Sequence, residues 1–211
     1  LDILAGGARA ALRAATDAAH LRLHALPAFA ALAEGRIALP AYAALLRRTL
    51  GFHAALEARL TEAPSPAGHG VEPAARRRAH LLRADLAWLD AAGPPVELAP
   101  LPPLASAAEA LGALYVAEGS TLGGRQLARA LDALLPPGPD GRRFLLGHGE
   151  AHGEMWRSLC VAIERCGASA DGLAGMVSGA IATFAAFESW FTAPSPVNGG
   201  GPGWGEARGA P

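Results

Sequence analysis

Residues 114–131 read LYVAEGSTLGGRQLARAL, and the reading of this stretch decides the fold. The pattern is apolar and helical, yet Gly119, Gly123 and Gly124 interrupt it. A glycine inside a helix costs about 1 kcal/mol relative to alanine, so a cluster of them must be offset by something. Gly119 and Gly123 stand four apart, on one face and about one turn from each other. That strip of backbone carries no side chains and can bend, so a neighbouring helix or a flat ligand can approach closely. Glycine spacing alone leaves those two uses evenly balanced.

The chain has 211 residues, room for one domain with a substantial core. Hydrophobic residues make up 51%, much of it alanine, and β-branched residues are scarce. Alanine, leucine and arginine dominate, all strong helix formers, so the fold class is all-α. A net charge of −1 gives no electrostatic case for nucleic acid as a partner. All 18 basic residues are arginine, so any anion clamp must use arginine, histidine or backbone groups. Cys160 and Cys166 sit on poorly aligned faces of one predicted helix, a poor geometry for a disulfide. Free thiols indicate a reducing compartment. The opening LDILAGG lacks the basic flank of a signal peptide, and no apolar run approaches the ~18–20 residues of a membrane span. These features predict a soluble, cytoplasmic protein with no membrane partner.

Outward from the glycine strip, proline and glycine punctuate a series of helical patterns. A first helix is expected over 8–24, followed by an apolar turn at 28–33. Pro40 opens a second over 41–60, whose stripe is Tyr42, Leu45, Leu46, Thr49, Phe52 and Leu56. After a loop at 63–70, a third helix over 73–92 should bury Leu81, Leu82, Leu86 and Leu89, and a proline-rich connector fills 93–103. Ser106 and Glu109 make a capping box for a fourth helix, which runs through the glycine strip and ends before Pro136. A short piece at 143–148 and helices at 151–165 and 170–191 complete a single-domain multi-helix bundle over 1–193. Residues 194–211 are Gly- and Pro-rich and read as an extended or disordered tail. Trp88, Trp156 and Trp190 read as core or pocket-rim residues, and Trp204 lies in the tail.

The first helix carries Arg13, Thr16, His20 and His24. Arg13 and His20 are seven apart, two turns, and share a face. An imidazole there can ligate iron while the guanidinium pairs with a carboxylate. A lone histidine on such a helix is more often simply solvated. Two segments together change that weighting. ALRAATDAAHLRLH, followed at the right distance by YVAEGSTLGG, resembles the haem oxygenases, most closely the bacterial forms that accompany bacterial phytochromes. The likeness spans about residues 10–191.

The resemblance implies an all-α fold that holds haem, both cofactor and substrate, between the first helix and a kinked glycine helix. His20 matches the family's proximal iron ligand. Gly119, Gly123 and Gly124 match the distal helix over the other haem face. Ser120 stands where mammalian-type members have an aspartate that orders water, and its hydroxyl can still hold one. Arg13 and Arg157 match residues that pair with the haem propionates, and Phe184 and Phe187 match aromatic pocket residues. The implied reaction cleaves haem with O2 and electrons to biliverdin, CO and free iron, at the α-meso carbon. No flavin, nicotinamide or iron–sulfur motif is present, so electrons come from an external donor, a ferredoxin or a reductase. A bacterial phytochrome is the implied acceptor of the biliverdin.

Two other readings stay open at this level. A non-catalytic haem carrier would keep the same pocket. A metal-dependent oxygenase would use the ligand-like cluster His148, Glu150, His152 and Glu154, although the glycines among them favour a solvated loop. The run Arg76-Arg77-Arg78 reads as a solvated helix face, with docking of an acidic electron donor as the alternative.

Overall fold

The computed structural model describes residues 7–193. Among them are nine α-helices and no strand. In chain order these are α1 (Gly7–His24), α2 (Pro27–Ala33), α3 (Leu39–Glu62), α4 (Ala79–Trp88), α5 (Ala107–Gly119), α6 (Gly124–Ala130), α7 (Arg143–Leu146), α8 (His152–Cys166) and α9 (Ala170–Thr192). Short 3-10 turns at Pro66–His69, Pro73–Arg76 and Gly149–Ala151 join them.

Helix α9 is the axis. It is long and apolar enough to meet the length and composition of a membrane span, which corrects the expectation that no segment would. Here it packs against α1, α3, α5 and α8. The α5–α9 contact is the closest in the fold and is made by glycine. A methyl at Gly112 would collide with the Met176 carbonyl oxygen, and one at Gly179 with that of Glu109. Helix α3 joins two cores: Phe52, Leu56 and Leu60 pack with α1, α5, α8 and α9, while Tyr42, Leu45, Leu46 and Leu50 pack with α4, α6 and α7. Each fully buried side chain of this kind stabilises the fold by about 1.5–3 kcal/mol. All six residues of the predicted α3 stripe are buried.

Helix ends are closed by side chains distant in sequence. Glu164 of α8 accepts from the Ala8 and Arg9 amides at 2.8 and 3.1 Å, satisfying two orphan donors of α1. Asp85, fully buried, accepts from the Arg143 and Phe144 amides at 2.8 and 2.9 Å and starts α7. Buried Arg142 donates to the Ala128 carbonyl at 2.6 Å and to Asp132 at 2.5 Å, closing α6. Ser106 caps α5 through the Glu109 amide at 3.1 Å, and the Glu109 carboxylate reaches back to the Ala105 amide at 2.6 Å.

Several expectations are corrected. The apolar turn after α1 is the helix α2. The third predicted helix divides into the 3-10 turn at Pro73–Arg76 and α4, with Leu82 and Leu86 buried and Leu81 and Leu89 only half-buried. The fourth is two helices, because the chain breaks after Gly119 and restarts at Gly124. Trp190 is buried and donates to the Arg48 carbonyl at 2.8 Å, Trp156 is half-buried, and Trp88 is 42% exposed rather than core. Both cysteines are free. The expected tail at 194–211, with Trp204, lies outside the described residues.

Candidate active site

Helices α1 and α5 both rest on α9 and α8. They meet where Thr16 reaches Tyr115. One turn beyond that meeting, α1 presents His20 and α5 ends at Gly119. His20 and Gly119 thus each stand one turn past the Thr16–Tyr115 contact along their own helices. Phe184 of α9 stands beside His20, with ring centroids 6.4 Å apart and the rings nearly perpendicular.

The three glycines do different things. A methyl at Gly123 would meet nothing within 4 Å, and one at Gly119 only the Trp156 ring at 3.9 Å. Gly123 faces open space and Gly119 only an ordinary contact, so tight helix packing does not account for either. Gly124 is buried, and a methyl there would collide with the Leu145 carbonyl oxygen of α7. Its lack of a side chain serves packing. None of the three needs a left-handed backbone.

The surroundings of His20 disfavour its charged form. Partial enclosure of its ring and the neighbouring His24 push its pKa below the ordinary value, against a smaller opposing effect of Asp17, and Arg13 adds to the lowering. The field of Arg13 on His20 and on Tyr115 places that guanidinium near both rings. Arg157 is exposed on α8, beside the Trp156 that contacts Tyr115 at 5.9 Å between ring centroids. Phe187 is set apart: it stacks with Phe191 at 4.4 Å and meets Phe52 at 4.7 Å, in an aromatic core behind Phe184. Ser120 is exposed at the helix break, donates to the Ala117 carbonyl at 2.7 Å and accepts from Arg78 at 3.4 Å.

Beneath that break lies a buried polar cluster that sequence reasoning missed. Arg76 donates to Glu118 at 2.5 Å, to the Met155 carbonyl at 3.1 Å and to Ser158 at 2.8 Å. Arg78 is 2% exposed, donates to the Ala117 carbonyl at 2.5 Å and lies over the Phe144 ring. The basic run is thus not a solvated face, and only Arg77 is exposed. Thr121 bonds to the Glu118 carbonyl at 2.6 Å and to the His152 ring at 2.8 Å. The four-residue ligand cluster does not converge. His152 turns to Thr121, His148 is half-buried, and Glu150 and Glu154 stay exposed. Among the described residues no group of three or more His, Cys, Asp or Glu could hold a metal ion. Burial pushes the Glu118 carboxyl up, against the opposing pull of Arg76, and lowers His148 and His152. The cluster's signal in the sequence was Glu118, a lone charge in the apolar run 110–119, with its partner Arg76 lying 42 residues away.

An all-α bundle with a histidine on α1 and a glycine-rich break between α5 and α6 has the parts that the resemblance to haem oxygenases implied. The family model "Heme oxygenase" matches residues 7–193. A haem oxygenase of Xanthomonas campestris pv. campestris (strain 8004) is 37% identical over 167 residues, 77% of this chain and 96% of that protein. In fold, the chain is similar to the NO- and CO-bound heme oxygenase from Neisseria meningitidis, with a TM-score of 0.66 and 23% identity over 92% of this chain and 96% of that one. The chain belongs to the haem oxygenase family. It is an oxidoreductase that takes haem as both cofactor and substrate, with O2 and a reductant. The residues present would suit that group: His20, whose charged form is disfavoured, the aromatic Phe184 beside it, open space at Gly123, and arginines on α1 and α8.

Proposed function

We propose that His20 is the iron ligand and that Gly119 and Gly123 form the opposite wall. The observation that carries this reading is the matched turns: Thr16 meets Tyr115, and one turn further on stand His20 and Gly119. When bound, haem supplies both the iron that takes up O2 and the ring that is opened to biliverdin, CO and iron. The residues of this chain bind, orient and exclude. A neutral imidazole gives less electronic push toward O–O cleavage than a thiolate, which suits oxidation of the ring itself. The bare wall leaves open space at Gly123, and Gly124 fixes the restart of the helix against α7. Ser120, steadied by Ala117 and Arg78, is placed to hold a water at the break. Phe184 packs the pocket beside His20, and Phe187 braces α9 from the core.

Arg13 and Arg157 pair with the propionates and so set the rotation of the ring, presenting the α-meso carbon. Electrons arrive from a ferredoxin or a reductase, and biliverdin passes to a bacterial phytochrome in the cytoplasm. Chromatography of the biliverdin isomers made with a ferredoxin–reductase couple tests the orientation. The α isomer should dominate, and Arg13→Ala or Arg157→Ala should change the ratio. Mostly β or δ product, or a ratio that neither substitution moves, would contradict it.

A further inference from the structure

His20 and His24 are one turn apart on the exposed end of α1, and their Nε2 atoms are 3.1 Å from each other. Their rings lie 4.4 Å apart, edge to face. Two imidazoles at i and i+4 on a helix form a chelating pair. A transition-metal ion about 2.0–2.1 Å from each nitrogen, at this separation, would see them at an angle of about 100°, between the octahedral and tetrahedral values. We propose that the haem-free protein carries here a bidentate site for a divalent transition cation of the Zn2+, Ni2+ or Cu2+ class. Water completes the coordination, since no third protein ligand joins the pair among the described residues.

The charges around the pair allow it. Arg22, the nearest cation on the same turn, is neutralised by Glu188 through two bonds at 2.6 and 2.8 Å. Asp17, one turn before His20, sets a carboxylate field on the ring that opposes that of Arg13. The proton shared by the two Nε2 atoms moves to Nδ1 of the same ring when the cation arrives, so both rings stay neutral and no oxidant or base is needed. The inference goes beyond the haem reading and shares one atom with it. His20 Nε2 serves the divalent cation or the haem iron, never both, so the two compete.

Calorimetric titration of the haem-free full chain with NiCl2, beside a haem titration read at the Soret band, tests it. His24 is exposed, so His24→Ala removes no core contact. Wild type should bind one Ni2+ and lose that binding when loaded with haem. His24→Ala should weaken Ni2+ binding by at least about tenfold, because the second imidazole acts at high effective concentration, while binding haem no more weakly. His152→Ala should leave Ni2+ binding unchanged. Equal Ni2+ affinity in wild type and His24→Ala, or loss in His152→Ala instead, would overturn the proposal. If His20→Ala lost Ni2+ yet kept the axial signature of haem, the divalent site would stand and the haem assignment alone would fall.

Discussion

At the scale of single residues, absence of a side chain is the main chemical statement of this protein, and neighbouring glycines make it for different reasons. Gly123 has open space where its Cβ would be, while Gly124 has the Leu145 carbonyl oxygen there. Gly123→Val should therefore leave the thermal midpoint of the haem-free protein within a few degrees of wild type and lower turnover by at least about tenfold. Gly124→Ala overpacks α6 against α7 and should cost about 1–3 kcal/mol. Thermal melts and single-turnover rates on the same pair of variants check both. If Gly123→Val unfolds the protein and Gly124→Ala does not, the assignment of the two glycines is reversed. The glycines, His20 and Arg13 were singled out by the resemblance to the haem oxygenases, since spacing alone shows only which residues share a helix face. The separate duties of Gly123 and Gly124 were not legible in the sequence, because they depend on α7, some 20 residues away.

At the scale of elements, the glycine strip announced a bend, but not that the helix would stop after Gly119 and restart at Gly124. Ser120 keeps helical angles of φ −61° and ψ −23°, so the chain turns without any proline or left-handed glycine to announce it. What holds the turn is the Arg76–Glu118 pair, with side chains 6% and 3% exposed. Breaking a buried pair by removing one partner leaves a stranded charge and costs about 3–5 kcal/mol. Arg76→Met should destabilise the haem-free protein by about that much in urea unfolding, and Arg76→Met with Glu118→Gln should recover most of it. Equal loss in the single and double variants would mean that packing rather than charge matters there. Charge runs read as surface when their partners lie far along the chain, which is why Arg76 and Arg78 were misjudged. Likewise α2, at seven residues, is too short to show a helical period.

At the scale of the whole molecule, burial in the bundle disfavours charge on several of its histidines. His53, 5% exposed between Phe52 and Phe144, has its pKa driven well below the ordinary value by burial and then by Arg78. A folded-state pKa below the unfolded one means that acid favours the unfolded chain. His53 costs nothing above its unfolded pKa of about 6.5, and below it stability falls by about 1.4 kcal/mol per pH unit until the folded pKa is reached. His20, His148 and His152, shifted the same way, add to the slope. Urea unfolding of the haem-free protein between pH 7 and 5 should show this decline, and His53→Leu should remove about one proton's worth of it. An unchanged slope in His53→Leu would contradict the burial argument. The all-α class and the helix order were legible because periodicity and proline punctuation are local signals. The long-range closures by Glu164, Asp85 and Arg142 were not, since each joins residues that only the finished bundle brings together.

The account turns on His20, and one measurement addresses it directly. Haem is titrated into wild type and His20→Ala, with the Soret position and the axial-nitrogen signature in electron paramagnetic resonance read on each. The account predicts a histidine-ligated complex in wild type, its loss in His20→Ala, and its return when free imidazole is added to the variant. An unchanged Soret position and an unchanged nitrogen signature in His20→Ala would contradict it.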